Sequence, residues 1–290
     1  MRAVVLGASG VIGRALVPEL AAWCDVVAVS RRAQPTHGSV ESASADVTDV
    51  ASLDGIFRDG DVVVHLVHSL GTDDFEAVDR LAADNVAAAS GRAGVRQIVY
   101  LGGLGATADA ASSHLRSRAE TAKRLAAGPV PVTVLRAAMV VGPGSAAFET
   151  IRALVDRLPA MICPRWVSTP TQPIALRDVV RYVSGVCGLE AAYGESFDVG
   201  GPEVMTYREM MERIARLRGK RLPILEVPVL TPRLSSWWLH LVTPVNAAVA
   251  RPLIDGLRTS TVAGDDRIRE LVRIELTSFD DAVRDALAAD

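Results

Sequence analysis

The chain has 290 residues, of which 49% are hydrophobic, and its formal net charge at pH 7 is −3. This size and composition suffice for a folded protein with a sizeable core, and the scattered basic residues indicate no nucleic-acid partner. Met1 and Arg2 lead directly into the strand-like AVVLG, which predicts a cytoplasmic protein without a signal peptide. Three cysteines far apart are expected to be buried thiols of a reducing compartment: Cys24, Cys163 and Cys187.

Short β-branched runs alternate with longer helical patterns in the first half of the chain. The runs are RAVVLG, DVVAVS, DVVVHLV, QIVYLGG and VTVLR, and the helical patterns cover 11–22, 75–92 and 115–127. Continuous apolar strands that are joined by helical crossovers form parallel sheets covered on both faces. We therefore predict an α/β Rossmann domain, a doubly wound parallel sheet, over residues 1–157.

The segment GASGVIG at 7–13 follows the first predicted strand and opens the first predicted helix. Gly7 permits the tight turn, Gly10 lets the backbone approach a pyrophosphate, and Gly13 packs the helix on the strand. The helix N-terminus then faces the anion. We predict a dinucleotide site that also includes Ser9, Val11 and Ile12, with a tight turn that binds no ligand as the alternative.

The second predicted strand ends in Ser30, Arg31 and Arg32. A site that prefers NAD usually carries an acidic residue here, which binds the ribose 2′-hydroxyl. Guanidinium groups suit a 2′-phosphate instead, so we predict that NADP(H) is preferred over NAD(H). The alternative is that both arginines only solvate the surface.

The alternation of strands and helices breaks after a predicted helix at 146–157. A proline-rich segment, 158–170, predicts the start of a smaller, mostly helical substrate lobe. Residues 171–200 read as a helix and a strand that return to the sheet, and 201–290 complete the lobe.

Three tryptophans fall in this lobe: Trp166, Trp237 and Trp238. We expect them to line an apolar substrate pocket, with ordinary lobe core as the alternative. The uncharged stretch 234–250 is short and is interrupted by Pro244, which favours a packed helical cap over a membrane span.

Six segments and Asn85 together resemble the extended and atypical short-chain dehydrogenases/reductases, including the NmrA-like proteins. They are GASGVIG (7–13), ADVTD (45–49), DVVVHLVHS (61–69), Asn85, IVYLGGLG (98–105), VTVLRAAMVVGPGS (132–145) and FDVGGPEVMTYREM (197–210). They occur in the family's order and cover nearly the whole chain. The resemblance implies a Rossmann fold, a nicotinamide cofactor and a small-molecule substrate; many relatives form homodimers through the helices that correspond to 75–92 and 113–127.

The resemblance also implies where residues lie around the cofactor. Asp46 and Val47 would flank the adenine, and Asn85 would support that region. The adenosine ribose would lie above Leu66, Val67 and His68. The nicotinamide would lie beside Leu101, Gly102 and Gly103, with its amide side along Ala137, Ala138 and Met139.

In this family a serine binds the substrate carbonyl, a tyrosine exchanges the proton, and a lysine four residues later tunes the tyrosine and binds the ribose. Here Gly102 and Gly103 stand where the serine would follow the fifth strand, and SSHLRSRAE at 112–120 has His114 and Arg118 in the other two places. Arg118 can still bind ribose hydroxyls. Histidine can exchange a proton at neutral pH, and the nearby arginine would keep His114 neutral. The alternative is that His114 is only a polar residue at the helix start.

These residues favour an NADPH-dependent reductase of an apolar or quinone-like molecule, with His114 as acid and Arg118 as ribose clamp. A non-catalytic NADP(H)-sensing regulatory protein is the alternative, because all three catalytic groups are altered. A dehydratase or epimerase is a third reading. No metal site is visible in the sequence.

Overall fold

The computed structural model describes residues 1–35, 38, 40–70, 72, 74–107, 112–227 and 256–289. The strands in these ranges are β1 Arg2–Leu6, β2 Asp25–Ser30, β3 Val40–Ser44, β4 Val62–His65, β5 Gln97–Gly103, β6 Val132–Ala137, β7 Val140–Val141, β8 Met161–Pro164, β9 Pro170–Thr171, β10 Ile174–Ala175, β11 Ser196–Val199, β12 Met205–Thr206 and β13 Ile224–Val227. The helices are α1 Val11–Ala21, α2 Phe75–Ala93, α3 Ser113–Ala126, α4 Ala146–Arg157, α5 Leu176–Val186, α6 Tyr207–Leu217, α7 Arg267–Leu271 and α8 Phe279–Ala288.

Seven parallel strands form the central sheet, in the spatial order β11-β6-β5-β4-β1-β2-β3. The predicted α/β Rossmann fold is therefore confirmed. The edge strand β3 escaped the sequence analysis, because VESAS lacks the continuous apolar run of a buried strand and its side chains are exposed or half-buried. Helix α3 starts two residues earlier than predicted, since Ser113 and His114 do not contribute to its apolar pattern.

Helices cover both faces of the sheet. On one face Leu16 and Leu20 of α1 and Val183 of α5 are buried with Val5 and Val64. The other face is covered by α2 and α3. Complete burial of such a side chain contributes roughly 1.5–3 kcal/mol, so these two apolar layers hold the central domain together.

A separate apolar cluster, apart from the two layers that cover the sheet, lies beyond β6. It is formed by α4, α6 and α8, with Phe148, Met210, Ile214 and Val283 at its centre. Two short strand pairs, β8 with β13 and β9 with β12, border it. Between these segments the chain re-enters the main sheet, where Val199 of β11 pairs with Ala137 of β6.

The thiol prediction is correct for two of the three cysteines. Cys163 and Cys187 are buried, whereas Cys24 is only half-buried. Cys24 lies in the turn between α1 and β2, which runs at the surface between the exposed Trp23 and Asp25, so the prediction is wrong for this residue. No helix in the described ranges has both the length and the hydrophobicity that a membrane crossing requires.

Candidate functional site

The carboxyl ends of β1, β4, β5 and β6 meet at one edge of the sheet. Open parallel sheets bind ligands in the crevice outside this edge. The segments predicted to contact the cofactor lie here: the glycine turn after β1, residues 66–68 after β4, and the ends of β5 and β6.

The glycine turn has the geometry that a pyrophosphate site needs. Gly7 has a φ of 87°, and the amides of Gly7 and Ala8 both donate to the carbonyl oxygen of Val29 at 3.0 Å. A Cβ on Gly13 would collide with the carbonyl oxygen of Gly7 and would lie 2.7 Å from the Cα of Ala8. Helix α1 therefore packs against the turn at a distance that only glycine allows.

The N-terminus of α1 is open to a ligand. Its N-cap, Gly10, has no side chain, and no acidic residue lies in its first turn. Because the first amides of a helix have no intrahelical acceptor and carry partial positive charge, an anion is stabilised there. Ser9 and Gly10 are exposed, and Val11 and Ile12 are half-buried. This turn fits a dinucleotide pyrophosphate.

At the end of β2, hydroxyl groups hold the loop that carries Arg31 and Arg32. The Ser30 hydroxyl donates to the carbonyl oxygen of Arg32 at 2.6 Å, and the Ser44 hydroxyl donates to that of Arg31 at 3.0 Å. Both guanidinium side chains are exposed, and neither forms a salt bridge with another described residue. Two positive charges therefore remain available beside the glycine turn.

The Asp46–Val47 segment is supported from two sides. Asp46 accepts hydrogen bonds from the amide and hydroxyl of Thr48, at 2.9 and 2.7 Å, and these bonds, aided by the charge of Arg31, lower the pKa of its carboxyl group. The Asn85 amide donates to the carbonyl oxygen of Val47 at 3.0 Å. Asn85 thus braces this segment although it lies 38 positions further along the chain.

The loop after β4 passes directly under the glycine turn. Leu66 donates its amide to the carbonyl oxygen of Leu6 at 3.0 Å. A Cβ on Gly7 would lie 3.3 Å from the backbone of both Leu66 and Val67. These residues, with the exposed His68 after them, form a floor beneath the cleft.

The ends of β5 and β6 form an apolar corner. Gly102 and Gly103 pair with Arg136 and Ala137. A Cβ on Gly103 would first meet a side-chain carbon of Leu115, at 3.6 Å, so a side chain would fit there. Ala137 and Ala138 are buried, and Met139 is half-buried.

The segment 256–261 lies over the loop after β5, because a Cβ on Gly105 would be 2.8 Å from the methyl group of Thr259. This packing places chain over the same side of the cleft as the ends of β5 and β6.

His114 lies in the first turn of α3, and Arg118 lies one turn later on the same helix. The Arg118 guanidinium donates to the carbonyl oxygen of Leu101 at 3.3 Å and lies 3.5 Å from the Tyr100 hydroxyl. Burial lowers the pKa of His114 to about 3, and the positive charge of Arg118 acts in the same direction. His114 is therefore neutral at pH 7. Tyr100 is completely buried beneath α3, so its hydroxyl cannot reach a substrate.

Two further histidines, His65 and His68, lie near Arg118. The positive charge of Arg118 is the main cause that lowers the pKa of His68 to about 4. Burial lowers the pKa of His65 to about 4 as well, and both of its ring nitrogens are buried without a hydrogen-bond partner among the described residues. Neutral rings and one half-buried cation thus make up the polar end of the cleft.

We expect His65→Leu to reduce the acid sensitivity of the fold. In the unfolded chain His65 binds its proton near pH 6.5, and in the folded chain only near pH 4. This titration therefore leaves the free energy of unfolding unchanged above pH 6.5. As the pH falls towards 4, the free energy of unfolding decreases by about 3 kcal/mol, at roughly 1.4 kcal/mol per unit of pKa difference. Urea unfolding of both proteins at pH 7 and at about pH 5 measures the difference. Equal losses of stability between these pH values in the two proteins would contradict the assignment.

Asp79 is the site residue that the sequence analysis missed. It is buried on α2, where its carboxylate accepts hydrogen bonds from Ser69 and Ser117. The signal was an acidic residue in line with the buried face of α2, at helical spacing from Ala82, Ala83 and Val86.

The three predicted substrate-lining tryptophans fall into two groups. Trp166 is half-buried on the α4–α6–α8 cluster, with its ring edge-on to Tyr207 at 6.2 Å between ring centroids. Trp237 and Trp238 lie outside the described residues. Within the described ranges, no group of three or more His, Cys, Asp or Glu residues could hold a metal ion.

Comparison with known proteins adds family evidence to this geometry. Residues 7–139 match the family model described as NAD(P)H-binding. The chain is 25% identical over 227 residues to subunit 9 of the NADH dehydrogenase [ubiquinone] 1 alpha subcomplex, mitochondrial, of Arabidopsis thaliana; the alignment covers 72% of this chain and 56%, or about half, of that protein. It is also 26% identical over 238 residues to a (4-alkanoyl-5-oxo-2,5-dihydrofuran-3-yl)methyl phosphate reductase of Streptomyces griseus, with 78% and 77% of the two chains covered.

Solved structures share the fold over nearly the whole chain. Triphenylmethane reductase of Citrobacter sp., complexed with NADP(H), has a TM-score of 0.77 and 18% identity, with 99% of this chain and 100% of that chain covered. A nucleoside-diphosphate-sugar epimerase of Staphylococcus aureus has a TM-score of 0.79 and 16% identity, with 98% and 100% covered. Residues 7–139 therefore match the NAD(P)H-binding family model, and the chain shares its fold with this reductase and this epimerase.

Proposed function

We propose that this protein binds NADP(H) and uses NADPH to reduce an apolar or quinone-like small molecule. The observation that carries the proposal is that the open N-terminus of α1 and the Arg118 guanidinium lie at the same edge of the sheet, where a dinucleotide spans from pyrophosphate to nicotinamide ribose. The similarity to a reductase over about three quarters of both chains supports reduction over epimerisation.

The preference for the phosphorylated cofactor rests on Arg31 and Arg32. Both are exposed, their backbone is held by Ser30 and Ser44, and β2 ends without the acidic residue that would bind a 2′-hydroxyl. A 2′-phosphate would accept charge-assisted hydrogen bonds from these guanidinium groups.

Bound NADPH would supply a hydride to the acceptor carbon. The electron pair of the reduced double bond then moves to the substrate oxygen, which takes its proton from water. His114, neutral at pH 7, can polarise that oxygen with an N–H hydrogen bond but holds no transferable imidazolium proton. Because Gly102 and Gly103 add no side-chain donor, the acceptor must be one that is easily reduced, such as a quinone or an enone.

An apolar substrate agrees with the surroundings of the β5 and β6 ends. Leu104, Leu115 and Ala137 are buried hydrophobic side chains there, and Met139 is half-buried. A ligand that contacts these residues would bind mainly through apolar surface, with few polar groups to set its orientation.

We expect His114→Ala to lower kcat about tenfold and His114→Gln, which keeps an N–H donor, to recover part of the loss. Since the pKa of His114 is about 3, the wild-type rate should show no inflection from this residue between about pH 5 and pH 8. Steady-state NADPH oxidation at several pH values tests both points. An unchanged kcat in the alanine variant would remove His114 from the mechanism.

The proposal as a whole is tested by calorimetric titration with NADPH and NADH, followed by an NADPH-oxidation screen against quinones, enones and aldehydes. Tight NADPH binding with turnover supports it. A protein that binds neither NADPH nor NADH would overturn it.

A non-catalytic NADP(H)-sensing regulatory protein is the second candidate. Gly103 leaves room for a side chain, and yet the chain has no hydroxyl where the resemblance expects a serine. Tight cofactor binding without turnover of any acceptor in the screen would favour this candidate over the reductase.

A further inference from the structure

Asp79 joins two elements of the site that are far apart in sequence. Its carboxylate accepts a hydrogen bond from the Ser69 amide at 2.8 Å and one from the Ser69 hydroxyl at 2.7 Å. The other carboxylate oxygen accepts one from the Ser117 hydroxyl at 2.9 Å. Asp79 and Ser117 are buried, so the bond between them is protected from water, whereas Ser69 is half-buried.

The two serines lie next to the polar residues of the cleft. Ser69 directly follows His68 in the loop after β4. Ser117 lies on α3, three residues after His114 and one before Arg118. A single carboxylate on α2 therefore sets the position of the cleft floor relative to the helix that bears His114 and Arg118.

The carboxylate of Asp79 also acts through its charge. The titratable groups around Asp79, Ser69 and Ser117 are His65 from β4, His68 from the following loop, Tyr100 from β5, and His114 and Arg118 from α3. The negative charge of Asp79 acts on His65 and His68 against the positive charge of Arg118. Asp79 is thus close enough to both imidazoles to offset part of the effect of Arg118 on them.

We propose that Asp79 is a positioning residue for the reduction: by holding Ser69 and Ser117 together, it fixes the loop that bears His68 relative to His114 and Arg118, which lie at the reacting end of the cofactor. This inference rests on the proposed function. Displacement of a reacting or orienting group by about 1 Å can cost a hundredfold in rate, so a tie at this place has a large effect on the chemistry.

Ser117→Ala tests the tie, and Ser90→Ala is its matched control. Both are buried serines of adjacent helices, but the Ser90 hydroxyl has no hydrogen-bond partner among the described residues. The first readout is the set of imidazole NMR signals of the cofactor-free protein at pH 7. We expect Ser117→Ala to shift the signals of His68 and His114, and Ser90→Ala to leave them in place.

The second readout is kinetic. With the acceptor found by the screen, we expect Ser117→Ala to lower kcat about fivefold and to change KM for NADPH less than about twofold. Asp79→Asn, which removes the charge and one acceptor, should lower kcat further, whereas Asp84→Asn on the exposed side of α2 should not. If Asp79→Asn fails to fold, the comparison of Ser117→Ala with Ser90→Ala tests the proposal.

Identical imidazole signals and kcat in the Ser117→Ala and Ser90→Ala proteins would overturn the positioning role. A lower unfolding temperature of Ser117→Ala without changed histidine signals would also overturn it, because Asp79 would then act on stability alone. If no acceptor is ever turned over, the proposed function fails, but the histidine signals still show whether Asp79 holds the two sides of the cleft together.

Discussion

We expect replacement of Gly13 by alanine to weaken cofactor binding strongly and to destabilise the fold. A Cβ at this position would collide with the carbonyl oxygen of Gly7 and would lie 2.7 and 2.8 Å from the Cα and C atoms of Ala8. All three are backbone atoms, so no side-chain rotation relieves the contact. Helix α1 must move away from the turn, at a cost of about 3 kcal/mol, and the pyrophosphate site opens.

Two measurements check this result: urea unfolding of the cofactor-free protein, and calorimetric titration with NADPH, for which we expect at least about a hundredfold loss of affinity. Gly10→Ala is the graded control, because its Cβ would lie 3.2 Å from the Gly7 oxygen, and its φ of −72° is open to alanine. It should lose some affinity with little loss of stability. A Gly13→Ala protein with wild-type stability and affinity would show that α1 does not pack as described.

We expect the double replacement of Arg31 and Arg32 by serine to weaken the binding of NADPH much more than the binding of NADH. Each guanidinium that meets a phosphate contributes about 1.5 kcal/mol or more, and the pair stands exposed beside the end of β2. We expect NADPH to bind about a hundredfold more weakly and the Kd of NADH to change less than about threefold. NADH lacks the 2′-phosphate that these side chains would neutralise.

Calorimetry with both cofactors measures the effect, and Arg58→Ser is the control for the loss of an exposed positive charge elsewhere on the surface. Equal weakening of NADPH and NADH would mean that the arginines act on the whole loop. The preference for the phosphorylated cofactor would then have no structural basis.

Some features of this protein could be predicted from the sequence because neighbouring residues encode them. The strand runs DVVAVS and DVVVHLV, the helical periodicity and the spacing of Gly7, Gly10 and Gly13 are local patterns, and they predicted the fold and the glycine turn after β1. The edge strand Val40–Ser44 was missed, since an exposed edge requires no apolar run.

The tertiary structure decided the features that depend on residues far apart in the chain. Asn85 reaches Val47, and Asp79 reaches Ser117, only because the sheet and its helices bring these residues together. The low pKa of His114 depends on burial and on the neighbouring Arg118, which sequence spacing only suggested. Local patterns determine which elements form, but hydrogen bonds, burial and electrostatic shifts depend on distances between elements, and these exist only after the chain has packed.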